Sequence, residues 1–378
     1  MAYIVQRKDR FYVVDYDGID PVTGKERRRW RLAGDTRTDA ESVVERLDTK
    51  RAQSQVRASS ALLGGFLTEV WLPRKRSQVR ATTAYRYAWI VDRYVLPRLG
   101  DVSLRSLRAD HLDDLYNHLL SGGSKHGGPL APKTVHEAHL VVRNALDLAV
   151  RRDLIDRNVA LTVHSARRRG GGTVVARVWN ADEVAVFLRG ASGQRLFPAL
   201  HLAVHTGMRR GELVGLKWHD LDATLARISV HRTIQCLAGA PVEFAAKTRS
   251  SRRSIDLDPT TIAVLNDWRG RLEIADLPAG PDDWMFCNAK GRLLHPESLS
   301  QLFVRVVARS GLPKIRFHDL RHTHASLLVA HGVPIKVVTE RLGHSHPAFT
   351  MHTYQHLLPG MSADAAARFA GLVANAGR

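Results

Sequence analysis

The chain has 378 residues, of which 44% are hydrophobic and 25% charged, a balance typical of globular proteins of two or three domains. Its net charge of +19 at pH 7 favours a polyanionic partner, and nucleic acid is the commonest one. No apolar run approaches the length of a membrane span. Cys236 and Cys287 are the only cysteines, and Met1–Arg10 lacks the apolar core of a signal peptide. We therefore expect a cytoplasmic protein without disulfides.

The first segment, residues 1–60, has the pattern of a small sheet followed by a helix. Three runs rich in β-branched and aromatic residues predict strands: Tyr3–Val5, Phe11–Asp15 and Arg27–Leu32. Asp17-Gly18 predicts a turn. Thr38 with Glu41 forms a capping-box pattern, which predicts that the helix starts there.

The third predicted strand is strongly basic. Its arginines flank Trp30 and are Arg27, Arg28, Arg29 and Arg31. A basic sheet with an aromatic residue can enter a DNA groove. Positive charge on an edge strand can also serve only to discourage aggregation. The pattern of residues leaves both interpretations open.

The second segment, residues 61–165, is predicted to be all helical. Apolar residues recur at helical spacing along three stretches: Thr83–Leu96, Ala109–Leu120 and Thr134–Val150. The aromatic residues of the first stretch, such as Tyr87 and Tyr94, are expected to pack in the core. The segment is therefore expected to form a separate helical domain.

A basic, glycine-rich linker is predicted at residues 166–178. Arg167, Arg168 and Arg169 precede three glycines there, and such a run is either simply solvated or in contact with a phosphate backbone. A third segment, residues 179–378, begins with the capping pattern of Asn180 and Glu183. It is predicted to be mainly helical with a β-rich insert, so the whole chain is expected to be multidomain and mainly α.

Five polar motifs stand in the third segment. They are His205–Leu213, Lys247–Arg253, His318–His322, Leu342–His344 and Tyr354. In the first, a glycine turn leads into a helix start, which places Arg209 where backbone N–H groups favour an anion. The histidine spacings match no zinc motif, so we expect no metal.

These motifs, in this order, closely resemble the conserved boxes of the tyrosine recombinases, the phage integrase family. Thr206–Leu213 resembles the first box, and His318–His322 resembles the second. Leu342–Ser345 with Tyr354 resembles the end of the second box, and Lys247–Arg253 is similar to the β-hairpin lysine motif. The resemblance covers roughly 200 residues of chain.

The resemblance implies DNA cleavage without metal, ATP or another cofactor. Tyr354 would attack the scissile phosphate, giving a 3′-phosphotyrosine and a free 5′-hydroxyl. Arg209 and Arg321 would clamp the non-bridging oxygens, because a guanidinium fork matches phosphate geometry and stays charged. The charge that grows in the transition state would then be stabilised electrostatically.

The resemblance also assigns supporting roles. Lys247 would protonate the leaving 5′-oxygen, His318 would assist removal of the tyrosine proton, and His344 would hydrogen-bond the phosphate. Glu212 is expected to support the arginine site without itself reacting. Arg210 is then expected to contact the DNA backbone or to lie on the surface.

The other segments acquire roles by the same resemblance. Residues 61–165 resemble the core-binding domain, and residues 1–60 are similar to the arm-binding domain of phage and integrative-element integrases. Double-stranded attachment sites and a homotetramer on DNA are implied, with the helix predicted at Ala363–Ala374 docking on a neighbouring subunit. An excisionase and a DNA-bending host factor are candidate partners. The alternatives are a Xer-like resolvase, a type IB topoisomerase and a non-catalytic DNA-binding regulator.

Overall fold

The computed structural model describes residues 3–19, 26–59, 62–124, 127–163, 177–245, 252–343 and 369–370. The chain divides into two compact units, Met1–Gly172 and Thr173–Arg378. Within the described ranges, no helix has both the length and the apolar character needed to cross a bilayer.

The N-terminal part of the first unit is an antiparallel sheet in the order β1-β2-β3, followed by a helix. Its elements are β1 (Tyr3–Arg7), β2 (Arg10–Ile19), β3 (Glu26–Gly34) and α1 (Arg37–Ser59). The three predicted strands are confirmed. In the sheet register Val14 pairs with both Tyr3 and Trp30, so these three residues share one face.

Two local predictions in this region are wrong. The strand β2 continues through Asp17-Gly18, where the pairing with β3 shifts register, so the dipeptide forms a bulge and not a turn. The helix α1 starts before Thr38, because Thr36 and Asp39 cap it reciprocally. The Asp39 backbone N–H donates to Thr36 Oγ1, and the Thr36 N–H donates to Asp39 Oδ2, both at 3.2 Å.

The rest of the first unit is helical, as predicted. Its helices are α2 (Leu63–Gly65), α3 (Leu72–Gln78), α4 (Ala81–Ile90), α5 (Leu96–Leu99), α6 (Ala109–Gly122) and α7 (Pro132–Arg151). Phe66–Trp71 and Val91–Val95 are π-helical segments that join neighbouring helices. Tyr94 is buried in the shared core, and Tyr87 packs against that core, as the helical spacing predicts.

The second unit combines helices with two small sheets. Its helices are α8 (Ala181–Ala191), α9 (Phe197–Thr206), α10 (Arg210–Val214), α11 (Pro259–Ile274), α12 (Pro296–Arg309), α13 (Asp319–Ala330) and α14 (Ile335–Leu342). Its strands are β4 (Leu221–Asp222), β5 (Arg227–Val230), β6 (Arg232–Leu237), β7 (Ala240–Ala245) and β8 (Arg253–Asp256). One sheet has the order β4-β5-β8, and β6 pairs with β7 as a hairpin. The predicted β-rich insert is confirmed.

The start of the second unit is anchored both in its core and at a helix end. The Trp179 ring is buried against Phe187 and Phe303, and its indole N–H donates to the Pro313 carbonyl at 3.0 Å. Asn180 then caps α8, because its Oδ1 accepts from the Glu183 N–H at 2.8 Å while Glu183 Oε2 accepts from the Asn180 N–H at 2.9 Å. The predicted capping box is present.

We expect Asn180→Ala to lower the free energy of unfolding by about 1 kcal/mol, because the first turn of α8 loses its side-chain acceptor. Asn180→Asp keeps an acceptor at that position and should stay within a few tenths of a kcal/mol of the wild type. Calorimetry of the full chain measures both variants. Equal stability of the two would contradict the role of this cap.

Candidate active site

The first arginine motif is shaped by a close approach of two helices. The helix α9 ends at Thr206, and Gly207 follows in the left-handed conformation with φ of 62°. A Cβ atom on Gly207 would lie 2.7 Å from Leu342 Cδ2 and 3.0 Å from His324 Cδ2. Only glycine meets both conditions without strain. The turn brings Arg209 to the N-cap of α10, the helix start predicted from the sequence.

Glu212 joins two arginines beneath this turn. Its Oε1 accepts from Arg209 Nη1 at 2.8 Å, and its Oε2 accepts from the Arg209 backbone N–H at 2.9 Å. The guanidinium of Arg253 donates to the same two oxygens at 3.2 and 2.9 Å. Burial alone would raise the Glu212 pKa, but hydrogen bonds and charge from Arg253 and Arg209 outweigh it and lower the pKa to about 2. Glu212 is therefore ionised and hydrogen-bonds both arginines.

The C-terminal end of α14 receives three arginines on three consecutive carbonyls. Arg253 Nε donates to the Arg341 carbonyl at 2.8 Å, and Arg321 Nη2 donates to the Leu342 carbonyl at 2.6 Å. Arg209 Nη2 donates to the Gly343 carbonyl at 3.3 Å. These carbonyls have no partner within the helix, and they form the negative end of its dipole. Guanidinium groups from three separate motifs are thereby gathered at one helix end.

The two predicted clamp arginines differ in exposure. Arg321 is 2% exposed, and its Nη1 also donates to the Gly207 carbonyl at 3.0 Å. The Arg209 side chain is 38% exposed. The same turn and the same helix end therefore hold both groups, while only Arg209 presents a substantial surface to solvent.

His318 precedes α13 as its N-cap residue and lies one turn before Arg321. The residue as a whole is exposed to solvent, but neighbouring atoms partly desolvate its ring. This desolvation, together with the positive charges of His322, Arg321 and Arg209, lowers the pKa of His318 to about 4. The imidazole is therefore neutral near pH 7 and has a nitrogen that can accept a proton. The rings of His318 and His322 meet edge to face at 5.4 Å.

Several predicted site residues lie outside the described residues. They are Lys247, His344, Tyr354, Arg167, Arg168 and Arg169. Two of them lie near described elements: β7 ends shortly before Lys247 and β8 starts shortly after it, and Gly343 caps α14 directly before His344. The C-cap glycine predicted at that position is confirmed, with φ of 67°. In the described part of the chain, no group of three or more His, Cys, Asp or Glu side chains is arranged to hold a metal.

Arg210 does not project freely, although the sequence suggested a DNA-backbone or surface contact. Its Nη1 donates to Glu297 at 2.8 Å and to Ser300 Oγ at 2.5 Å, both on α12. The side chain is 38% exposed, but its charge is already paired within the domain. The distance of Glu297 along the sequence explains why the motif alone did not reveal this contact.

The strand pleat divides the basic residues of β3. Arg28 shares a face with Trp30, whereas Arg29 and Arg31 alternate to the other face; the side chain of Arg27 lies outside the described residues. On the Trp30 face, Arg28 Nη1 donates to the Tyr3 hydroxyl at 2.9 Å, and its Nη2 donates to Glu26 Oε2 at 3.2 Å in a pair more exposed than that of Arg210.

Trp30 and Tyr3 are 43% and 44% exposed on this face. The Arg7 guanidinium lies 4.4 Å from the centre of the Trp30 ring, a cation–π distance that the sequence did not predict. We call Tyr3, Arg7, Arg28, Trp30 and Leu32 the basic-aromatic face.

Arg253 was part of a recognised motif but received no role from the sequence. A usable signal existed, because Arg253 and the buried Ile255 are two residues apart in β8 and so share the inner face of the strand. An arginine at an inward position requires a buried partner. Glu212 is that partner, and the Arg253 side chain is 6% exposed.

Two family models match the chain. The model described as "Phage integrase family" matches residues 191–360, and the model described as "Phage integrase, N-terminal SAM-like domain" matches residues 65–120. Together the matches cover more than half of the chain.

Relatives and solved structures agree with these matches. The ICEBs1 integrase of Bacillus subtilis strain 168 is 26% identical over 355 residues, which are 92% of this chain and 94% of that protein. The Tn1549 transposon integrase, solved with a circular intermediate DNA, superposes with a TM-score of 0.63 at 21% identity over 80% of this chain and 97% of that one. A lambda integrase tetramer bound to a Holliday junction superposes with a TM-score of 0.57 at 20% identity over 92% of this chain and 96% of that one.

We expect Glu212→Gln to destabilise the second unit by about 3–5 kcal/mol at pH 7, because a buried ion pair loses its negative partner. The folded-state pKa of Glu212 lies below the ordinary value of 4.5, so its contribution is fully present above that pH and is lost as the pH falls toward 2. The stability difference between wild type and variant should therefore shrink between pH 5 and the lowest pH at which the chain stays folded. Urea unfolding at several pH values measures it.

Glu297→Gln is the matched control, because Glu297 also pairs with an arginine but its side chain is 52% exposed. A surface pair of this kind contributes about 0–1 kcal/mol. Similar losses for the two variants, or a Glu212→Gln loss that does not change with pH, would contradict the account of the buried pair.

Proposed function

Since the chain belongs to the phage integrase family of tyrosine recombinases, we propose that it is an integrase of a phage or mobile element that cuts and rejoins DNA through Tyr354. The observation that carries the proposal is the paired placement of Arg209 and Arg321 on neighbouring carbonyls beside a neutral His318. Such a group of cations and one neutral base fits a phosphodiester better than a carbonyl or sugar substrate.

The proposed cleavage is a transesterification at phosphorus. The Tyr354 oxygen forms a bond to the scissile phosphorus, and the bond from phosphorus to the 5′-oxygen breaks. The products are a 3′-phosphotyrosine and a free 5′-hydroxyl, and the reverse reaction with another 5′-hydroxyl rejoins the strand without ATP. Arg209 and Arg321 stabilise the negative charge that grows on the non-bridging oxygens.

Two proton transfers accompany this exchange in the proposal. His318 assists removal of the phenolic proton of Tyr354, which is needed because a free phenol has a pKa of about 10. The lowered pKa of His318 leaves its imidazole neutral and able to accept. Lys247 protonates the leaving 5′-oxygen, and His344 hydrogen-bonds the phosphate.

The proposed partners are double-stranded attachment sites and three further copies of this chain. Structures of similar proteins contain the Tn1549 integrase with DNA and a lambda integrase tetramer on a Holliday junction, which supports a tetrameric assembly for this chain. Residues 61–165 and the catalytic residues 179–378 would both bind the core site, with residues 166–178 as a basic linker between them. An excisionase and a DNA-bending host factor are proposed additional partners, and the cytoplasm is the proposed place of action.

Residues 1–60 are proposed to bind a second DNA site, as the arm-binding domains of integrases do. The basic-aromatic face supports this proposal because it presents arginines and an exposed tryptophan on one side of a sheet. Guanidinium groups there can contact phosphates, while Trp30 adds apolar contact. Arg29 and Arg31, on the other face of the sheet, are proposed to contact DNA only at the strand edge.

We expect Tyr354→Phe to bind DNA with wild-type affinity but to form no covalent adduct, because the nucleophilic oxygen is missing. The assay uses a nicked duplex that carries the attachment core, read from the junctions of the integrated element, and detects adducts that resist denaturation. Tyr85→Phe, which changes a tyrosine 45% exposed in the helical domain, is the control and should react normally. Persistent adducts with Tyr354→Phe would overturn the assignment.

We expect the double variant Arg7→Ala with Arg28→Ala to cleave the core site normally but to bind duplexes from the attachment-site flanks more weakly. The slope of log affinity against log salt should fall by about 2, roughly one for each lost phosphate contact. Arg37→Ala with Arg46→Ala removes the same charge from α1 and should leave the slope unchanged. Equal effects of the two double variants would refute a specific role for the basic-aromatic face.

A further inference from the structure

Arg341 lies in the last turn of α14, directly before the helix end that receives the three arginines. Its guanidinium donates in three directions: Nε to His324 Nε2 at 3.2 Å, Nη1 to the Asp256 carbonyl at 3.0 Å, and Nη2 to the His205 carbonyl at 3.0 Å. These acceptors belong to α13, to the end of β8 and to α9. One side chain therefore ties α14 to three other elements of the second unit.

His324 is built to accept this hydrogen bond. Its Nδ1 lies 2.9 Å from the Val204 carbonyl, which can only accept, so Nδ1 carries the proton and Nε2 is left as the acceptor for Arg341. Burial and the charge of Arg341 lower the pKa of His324 to about 3. The ring is therefore neutral near pH 7. A second proton on Nε2 would point at the Arg341 N–H and break their hydrogen bond.

Each anchor of Arg341 is close in sequence to a part of the arginine site. His205 precedes the Gly207 turn by two residues, Asp256 follows Arg253 by three residues, and His324 follows Arg321 by three. The same helix end presents the carbonyls that accept from Arg209, Arg253 and Arg321. A shift of this end would therefore move the acceptors of all three guanidinium groups together.

We propose that Arg341, held by His324, is a positioning residue that sets the geometry of the Arg209–Arg321 phosphate clamp through the end of α14. The proposal rests on the recombinase function proposed above. Lysine cannot replace Arg341, because one ammonium group cannot reach three acceptors that point in different directions.

Four variants separate positioning from simple stability. Arg341→Met removes all three donors while keeping an apolar stem. His324→Asn places an amide near the position of Nδ1, where it can donate to the Val204 carbonyl, but leaves no acceptor at the position of Nε2. His324→Gln reaches the position of Nε2 and keeps an acceptor for Arg341. Arg309→Met, on the exposed last turn of α12, is the control for loss of one arginine.

Single-turnover capture is measured on the nicked attachment-core duplex in two forms. One form has the ordinary scissile phosphate, and the other has a methyl group in place of one non-bridging oxygen. We expect Arg341→Met and His324→Asn to react with the ordinary phosphate at least roughly tenfold more slowly than the wild type. With the methyl form, their capture rates should fall much less below the wild-type rate. The reason is that the methyl form develops less charge for a misplaced clamp to stabilise. His324→Gln and Arg309→Met should stay within about twofold of the wild type. The double variant Arg341→Met with His324→Asn should be no slower than the slower of those two single variants.

Two results would overturn the positioning role. One is wild-type capture by Arg341→Met and His324→Asn; the other is an equal loss on both DNA forms together with a lowered unfolding midpoint, which indicates only a structural role. If Arg341→Met does not fold, the contrast between His324→Asn and His324→Gln decides. A wild-type chain that captures no DNA would remove the proposed function and the positioning role together, whereas normal wild-type capture with unaffected variants removes only the positioning role.

Discussion

The structure around the site depends on one buried carboxylate shared by two guanidinium groups. Arg209 and Arg253 would repel each other in a space of low polarity, and Glu212 between them offsets that repulsion and orients both forks. The remaining donors of these arginines then reach the carbonyl end of α14. The cations are thus arranged by the protein's own acceptors before any phosphate arrives, so little reorganisation is needed when charge develops on a bound group.

Much of the local structure near the site could be predicted from the sequence, because the relevant signals are local. Three of these features depend on residues that are close together in the sequence. They are the reciprocal caps of Asn180 and Glu183, the left-handed Gly343 and the N-cap position of Arg209. The helical periodicity of the middle segment and the three strands of the first segment are equally local. The order of the motifs was sufficient to indicate the family, and the family models match the same region.

The rest depends on contacts between distant parts of the chain. Glu212 and Arg253 are 41 residues apart, and Arg210 and Glu297 are 87 apart. Neither pair therefore lies within one helix or one short sequence motif. The start of α1 was misplaced for another reason, since two adjacent capping patterns compete there and Thr36 with Asp39 forms the observed one. At Asp17-Gly18 the dipeptide suits either a turn or a bulge, and pairing with β3 selects the bulge.

The close packing over Gly207 has a consequence for how such a chain can change over evolutionary time. Because Leu342 and His324 occupy the space where a side chain at residue 207 would lie, these three positions share one fixed volume. Since residue 207 is already glycine and its left-handed φ favours no other residue, the packing over it limits the size of the residues at positions 324 and 342, although these belong to different segments of the sequence. We therefore expect position 207 to stay glycine among related chains, and the residues at positions 324 and 342 to vary less in size than the exposed residues of the same helices.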